Sequence, residues 1–251
     1  MDRGVAALVA ISKSLEKYSV KHYKIIGTSA LRSANNTQEF LQRVKNQTNL
    51  DVEIISGDRE AELIYKGVSR LLEPTDEYQM IIDIGGGSVE FLLIRQGDLV
   101  WAKSFDIGIG VLYNVIEFSD PCTSNEVNRL DQFLQKKLES LCAVVSGKKI
   151  KSLIGASGSF EVVKTISGDE LLSDELTAIP MSKYKSIAEG LISSTESFRL
   201  GMNGLPETKV KLIVVTMILI NKAIELTGPE ELLVSPYALK EGVLSELTAL
   251  I

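Results

Sequence analysis

Apolar residues at Val5, Leu8, Val9 and Leu15, with Ser12 on the same stripe, recur at helical spacing and predict an amphipathic helix over residues 2–17. Residues 23–27 form a short β-rich run ending in Gly27-Thr28-Ser29-Ala30, where a strand hands over to a helix. Thr37 is a cap signal for a helix over 37–47, with Phe40, Leu41 and Val44 on its inner face. Residues 52–55 read as the next strand and Ser56-Gly57 as a turn. Residues 58–72 read as a helix with Ala61, Ile64, Tyr65 and Val68 on one face. Strand, helix, strand, helix is the pattern of a layered α/β fold.

The pattern changes after Pro74-Thr75-Asp76. Residues 80–84 make a compact apolar strand followed by Gly85-Gly86-Gly87-Ser88. Residues 89–94 and 99–105 are two further strands, joined by the hairpin signal Gln96-Gly97-Asp98. A helix begins after Gly110, and residues 124–145 predict one long helix capped by Ser124. A strand over 151–154 leads into Gly155-Ala156-Ser157-Gly158-Ser159. Helical patterns then dominate 160–227, a short strand follows at 232–234, and a closing helix covers 237–250. The most apolar window, 210–223, is interrupted by Lys211 and Asn221 and is shorter than a bilayer span, so it reads as a buried helix, in the core or at a subunit interface. A homodimer is compatible with the second use.

Composition narrows the chemistry. The 251 residues are 45% hydrophobic and 24% charged, enough to bury a core. With 27 basic and 33 acidic side chains the net charge is −6, which argues against a general nucleic-acid binder. An anion must therefore be held locally, by backbone amides, a metal ion or a few placed arginines. The single histidine, His22, lies in a polar link and reads as a surface residue, which leaves a Ser-His-Asp triad or a multi-histidine zinc site unsupported. Cys122 and Cys142 are far apart without C-x-x-C spacing, which suits a reducing cytoplasm. No signal-peptide pattern opens the sequence.

Four stretches could carry chemistry. In Ile82-Asp83-Ile84-Gly85-Gly86-Gly87-Ser88-Val89-Glu90, a strand delivers a carboxylate, and the glycines let backbone N–H groups form a concavity for an anion such as phosphate. Asp83 could hold a divalent cation, and Glu90 could face the same cavity if the turn folds the chain back. The bland alternative is a glycine-rich hairpin with no ligand. Gly155-Ala156-Ser157-Gly158-Ser159 repeats the logic at a strand-to-helix turn, where free N–H groups and the helix dipole favour anions, though many such turns merely connect. In Ser56-Gly57-Asp58-Arg59-Glu60-Ala61-Glu62 the acids suit a helix N-terminus electrostatically, or one of them takes a proton from an attacking water; Glu60 and Glu62 cannot share a face. Arg32, followed by Asn35-Asn36, is either a phosphate fork or a solvated loop residue. Gly108-Ile109-Gly110 is a partial G-x-G, but Tyr113 stands where a dinucleotide fingerprint needs its third glycine.

In their order, Gly27-Thr28-Ser29-Ala30-Leu31-Arg32, the stretch from Val52 through Ser56-Gly57-Asp58-Arg59-Glu60 to Tyr65, and Ile82 to Glu90 together resemble the exopolyphosphatase / guanosine pentaphosphate phosphohydrolase (Ppx/GppA) family. Gly155 to Ser159 and Val234-Ser235-Pro236-Tyr237-Ala238-Leu239-Lys240-Glu241-Gly242 fit its later motifs, so the likeness covers nearly the whole chain. The resemblance implies an actin-like, ribonuclease H-like α/β fold of two lobes, with mixed sheets flanked by helices and a phosphate-binding cleft between them. It divides the chain into a first lobe of residues 1–58 plus 237–251 and a second lobe of 59–236. The family's opening strand–loop–strand hairpin has no counterpart here, so the first lobe is expected to be incomplete. Hydrolysis of the terminal phosphoanhydride of inorganic polyphosphate or pppGpp with Mg²⁺ is implied, in the cytoplasm, without nucleic acid or membrane. Glu60 matches the general base, and Asp83 and Glu90 match cleft carboxylates that are also the metal ligands. Arg32 matches an arginine near the phosphate. Gly85, Gly86, Gly87 and Ser88 match one phosphate loop; Gly155, Ser157, Gly158 and Ser159 match another. Arg59 stands where the family often has a second acid beside the base.

The expected mechanism is in-line attack of water on a phosphate end grasped by two glycine loops across the cleft. Rival readings keep the fold without the reaction, as a phosphate- or nucleotide-binding protein or an inactive fragment. Others turn the same architecture to a kinase or ATPase, or to a purely structural role.

Overall fold

A computed structural model of the chain describes residues 1–168 and 175–249. It opens with α1 (Asp2–Lys17), β1 (Ile26–Gly27), α2 (Ser29–Ser33), α3 (Thr37–Thr48) and β2 (Glu53–Ile54). β1 and β2 pair in parallel, with Ile26 opposite Glu53 and Gly27 opposite Ile54. Both are shorter than their apolar runs, because only one further bond on each side extends the ladder: Glu53 N–H to Ile25 C=O and Ile55 N–H to Gly27 C=O. α1 and α3 close a small core over this pair around buried Val5, Val44 and Leu50. Thr37 does not cap α3; it is the first helical residue, and its hydroxyl donates back to the carbonyls of Leu31 (2.5 Å) and Ala34 (2.8 Å), tying α2 to α3.

α4 (Gly57–Val68) starts where a turn was expected, because the Ser56 hydroxyl accepts the Arg59 N–H at 3.2 Å and caps the helix. A 3₁₀ turn at Ser69–Leu71 ends it short of residue 72. Then come β3 (Tyr78–Ile84), β4 (Val89–Arg95) and β5 (Asp98–Phe105), an antiparallel meander whose second hairpin turns on Gln96 (φ 55°) and Gly97 (φ 84°). α5 (Ile109–Tyr113) follows. The expected long helix is two, α6 (Ser124–Lys137) and α7 (Glu139–Val145), separated by Leu138 at φ −97°, ψ 17°. Its cap is Thr123, one residue before the expected Ser124. The Thr123 hydroxyl accepts the Glu126 N–H while the Glu126 carboxylate accepts the Thr123 N–H at 2.7 Å, a capping box.

The remainder is β6 (Ile150–Ala156), α8 (Gly158–Ile166), β7 (Thr177–Ile179), α9 (Met181–Ser193), α10 (Glu196–Leu200), α11 (Ile213–Thr227), β8 (Glu231–Val234) and α12 (Leu239–Thr248). β7 lies inside the stretch expected to be helical. Only three residues long, it has too little alternation to register as a pattern, and its antiparallel pairing with β8 makes it a strand. The end expected for the closing helix, at residue 250, lies outside the described residues.

Six strands form one mixed sheet in the order β5-β4-β3-β6-β8-β7. Ile81, Leu92, Ile94, Ile154 and Ala156 point to one face and pack on Ala61, Ile64 and Val68 of α4. Met80, Ile82, Phe91, Leu93 and Leu153 point to the other, where α11 and its neighbouring helices cover them. This is the expected α/β architecture of mixed sheets flanked by helices. α11 is buried on nearly every side, so the apolar window is spent in the chain's own core. Among the described residues no helix is long and apolar enough to cross a membrane. His22 is exposed, and both cysteines are free thiols.

α12 crosses α4 at backbone contact. A Cβ on Gly242 would overlap the Leu63 carbonyl, and one on Gly67 the Ala238 carbonyl. Glu246 clamps the crossing, 2.5 Å from both Arg59 Nη2 and Lys66 Nζ. Gly242→Ala should therefore force the helices apart and cost about 1–3 kcal/mol, the range for overpacking, read as a lower midpoint in urea; an unchanged midpoint would mean that the crossing yields freely.

The Glu126 cap gives a second test. Its hydrogen bonds to the Thr123 backbone, first, and then to Ser119 hold its carboxyl down to about 2. The folded pKa lies below the unfolded one, so this stabilisation is complete above the ordinary glutamate value and fades as pH falls through about 2. Glu126→Gln should lower stability at pH 7 by ~1 kcal/mol, as for a lost cap, and the deficit should shrink at pH 3 in thermal melts.

Candidate active site

Strand register builds the site. Asp83 of β3 lies opposite Glu90 of β4, Glu90 opposite Ser104 of β5, and Asp83 opposite Ala156 of β6. Residues opposite one another point to the same face, so Ala156, Asp83, Glu90 and Ser104 form one row across four strands. That face carries α4. Gly57, the first residue of α4, sits directly on the end of the row: a Cβ there would come within 2.5 Å of Ser104 Cβ. Glu60, a turn further on, is buried above the two strand carboxylates.

Like charges opposite one another destabilise a sheet, and here three carboxylates lie within each other's field. Burial pushes Asp83 up to about 6, against a hydrogen bond from Ser157, with the Glu60 charge adding to the rise. Burial pushes Glu90 up to about 7, and the charges of Glu60 and Asp83 add to it, while the hydroxyls of Ser104 (2.6 Å to Oε1) and Ser88 oppose. Burial also raises Glu60, against Arg32 and the Thr28 hydroxyl. Arg32 Nη1 donates to the Ile55 carbonyl at 2.8 Å and lies 3.3 Å from Glu60 Oε2. Arg32 is thus partnered with the acid from α4, and the solvated-loop alternative for it falls away.

The triple-glycine turn is held from behind. Gly108, Ile109 and Gly110 donate their N–H groups to the carbonyls of Gly87 (3.1 Å), Gly85 (3.0 Å) and Gly86 (2.9 Å). A Cβ on Gly108 would overlap the backbone of Gly86 and Gly87. Pinned carbonyls leave the amides of Gly86 and Gly87 turned away from α5, and among the described residues these meet no acceptor. The glycines differ in their reasons. Gly87 lets α2 approach, since a Cβ would stand 2.5 Å from Ser29 Oγ, whereas a Cβ on Gly86 would meet nothing within 4 Å. The pair Gly108-Ile109-Gly110, unread as a fingerprint, is this backing clamp. Glycines two apart after a strand were the only signal for it.

The second loop stands beside the first. β3 and β6 are neighbours in one sheet, and the Ser157 hydroxyl donates to the Ile84 carbonyl at 3.2 Å. The expected grasp across a cleft by two loops is corrected: both leave the same sheet, side by side. Ser157 adopts φ 78°, a left-handed conformation for a residue with a side chain, and Gly158 and buried Ser159 open α8. Gly155 lies within β6, and its missing Cβ is filled by the Phe160 ring, so its role is packing. Lys209, unsuspected from the sequence, donates from Nζ to the Gly158 carbonyl. Burial lowers its pKa, against the Glu161 charge. A cleft of about 650 Å³ reaches Asp83, Ser157 and Gly158 and continues along α12 past Leu239 and Val243 to Tyr23 and Lys24. Glu60, Glu90, Arg32 and the triple-glycine turn are not among its walls.

Among the described residues no three His, Cys, Asp or Glu side chains are grouped to hold a metal by themselves. Asp83 and Glu90 offer hard oxygen donors side by side, which suits a Mg²⁺ ion that keeps its waters and takes further oxygens from a phosphate.

Residues 1–250 match the Ppx/GppA phosphatase family. The chain is similar to the crystal structure of an exopolyphosphatase from Cytophaga hutchinsonii, with 31% identity, a TM-score of 0.94, and coverage of 100% of this chain and 82% of that one. It is similar to the Aquifex aeolicus PPX-GPPA enzyme at 25% identity and a TM-score of 0.80, covering 98% and 82%. A guanosine-5′-triphosphate,3′-diphosphate pyrophosphatase of Aeromonas salmonicida is 25% identical over 248 residues; these span 97% of this chain and 48% of that protein. The chain thus spans about half the length of such pyrophosphatases.

Two measurements test the geometry. Asp83 has a folded pKa of about 6 against an ordinary value of 3.8, so folding takes up a proton between these values and stability falls as pH rises through them. Asp83→Asn should raise stability at pH 8 in metal-free buffer by roughly 1–3 kcal/mol, with little change at pH 4. Gly108→Ala, which displaces the clamp, should weaken binding of inorganic phosphate at least about tenfold by calorimetry, the worth of one good charge-assisted bond; unaltered binding would remove the turn from the site.

Proposed function

Because the chain belongs to the Ppx/GppA phosphatase family, we propose that it hydrolyses the terminal phosphoanhydride of inorganic polyphosphate or of pppGpp by in-line attack of water. One observation carries the reading: Asp83 and Glu90 lie in register beneath Glu60, at the foot of a glycine turn whose carbonyls are pinned away. A fold gains nothing from three buried carboxylates in mutual repulsion, and a phosphoryl-transfer site needs such a set.

Glu60 is the base. Its carboxylate is steadied by Arg32 Nη1, and its partial burial keeps it more basic than a surface glutamate, which suits removal of a proton from water. The amides of Gly86 and Gly87 and those opening α8 at Gly158 and Ser159 bind phosphoryl oxygens, while the Ser88 hydroxyl stays on Glu90 and that of Ser157 on the Ile84 carbonyl, holding the two loops in place. Arg32 keeps further guanidinium donors for the anion beyond those used on Ile55 and Glu60. Asp83 and Glu90 would hold Mg²⁺, which when bound neutralises charge on the phosphate. Positioning and charge neutralisation are nearly all that this chemistry asks of a protein.

The experiment is phosphate release from polyphosphate and from pppGpp, each with and without Mg²⁺. Release that depends on Mg²⁺ is expected from at least one substrate. Binding of either without release would favour a phosphate-binding protein of the same fold. Glu60→Gln should lower turnover about 10²–10⁴-fold. The acidic limb of the kcat/KM profile should lie above the ordinary glutamate value, because burial raises Glu60, and Arg32→Ala should move that limb higher still by removing the opposing charge. A limb that stays in place in Arg32→Ala would separate Arg32 from the base.

A further inference from the structure

The row of strand residues ends on Ser104, which has no role in the family resemblance and carried no signal in the sequence. Three observations meet at it. Its Oγ donates to Glu90 Oε1 at 2.6 Å, a short bond of the kind a carboxylate accepts. It lies opposite Glu90 in the β4–β5 register, so the bond needs no bend of either strand. On its other side, Gly57 at the start of α4 is so close that a Cβ on that glycine would stand 2.5 Å from Ser104 Cβ and 2.8 Å from Ser104 Oγ.

Resting on the reading above, we propose that Ser104 is a positioning residue for phosphoanhydride hydrolysis. Its hydroxyl aims the Glu90 carboxylate along the row toward Asp83, and its small side chain sets how closely α4, and with it Glu60, stands over the strands. Glu90 is only 1% exposed, so bulk water does not orient it. A glutamate side chain has three rotatable bonds; the Ser88 hydroxyl also reaches Glu90, but Ser104 is the donor that sits on a paired strand directly opposite it, and it selects among the rotamers. The β-branched residues that strands favour would press on Gly57. A serine meets both demands, supplying a donor and no further bulk.

The residue acts through Glu90 and α4 and does not touch the reacting atoms, so its test must separate aiming from mere support. Ser104→Ala removes the hydroxyl and keeps the shape. It should lower kcat about 10–100-fold, the scale of a misplacement near 1 Å, with KM within about threefold and a melting temperature close to that of the parent. In a Glu90→Gln background the same change should cost less than about threefold, because the partner is already altered. Equal losses in both backgrounds would overturn the role through Glu90. A crystal structure of Ser104→Ala answers independently of activity: the Glu90 carboxylate is expected in a different rotamer, and an unmoved carboxylate would refute the aiming role. A parent enzyme that releases no phosphate would instead refute the hydrolase reading, while the crystal structure would still decide whether Ser104 orients Glu90.

Discussion

The register between neighbouring strands is the constraint from which the site follows. Once β3 and β4 pair so that Ile84 meets Val89, Asp83 must meet Glu90, and once β4 meets β5, Glu90 must meet Ser104. A slip of one residue would send these carboxylates to the opposite face, into the apolar layer beneath α11. The cost of burying those charges forbids the slip, because Met80, Ile82, Phe91 and Leu93 make that opposite face apolar. The hydrophobic effect therefore does more than stabilise the sheet: it fixes which side of it the charges occupy, and so places them under α4.

Around that row the supports come from distant parts of the chain. α4 brings Glu60, and α12, nearly 180 positions later, holds α4 by the glycine crossing and by Glu246. β5 and the segment that follows it contribute one support each, Ser104 on the strand and then the amides of residues 108–110. Each support is short-ranged and made of groups with little freedom: backbone amides, a hydroxyl on a strand, a salt bridge between helices. Such an arrangement suits a reaction in which the substrate brings its own charge and the protein supplies position.

How much of this the amino-acid order revealed depends on the range of the interaction concerned. Asp83, Glu90 and their glycine turn were legible because a single hairpin contains them. Glu60 and Arg32 stood out only once their surroundings resembled a known family, for a helix start rich in acids is unremarkable by itself. The cap at Thr123 was misread by one residue because Thr123 and Ser124 are both good caps, and only the bond from Glu126 decides between them. The break at Leu138 leaves no mark in an apolar stripe that continues through it. Ser104 and Lys209 carry no local signal, and Gly108-Ile109-Gly110 shows only as glycines two apart, since each acquires its meaning from a partner that is not its neighbour in the chain. The position of the two loops, adjacent on one sheet where they had been placed opposite each other, is a fact of strand order, which local patterns do not encode.

The emptiness around Gly86 has a separate consequence. At the tip of the turn nothing stands where a side chain would go, while its neighbour Gly87 is walled in by Ser29. A methyl group at the tip would leave every contact of the folded chain intact. Surveys that score variants by expression, solubility or heat resistance would pass over such a lesion as silent. On the phosphate-binding reading, only a measurement made with the anion present would register it, and a loss of chemistry would begin there with every folded contact intact.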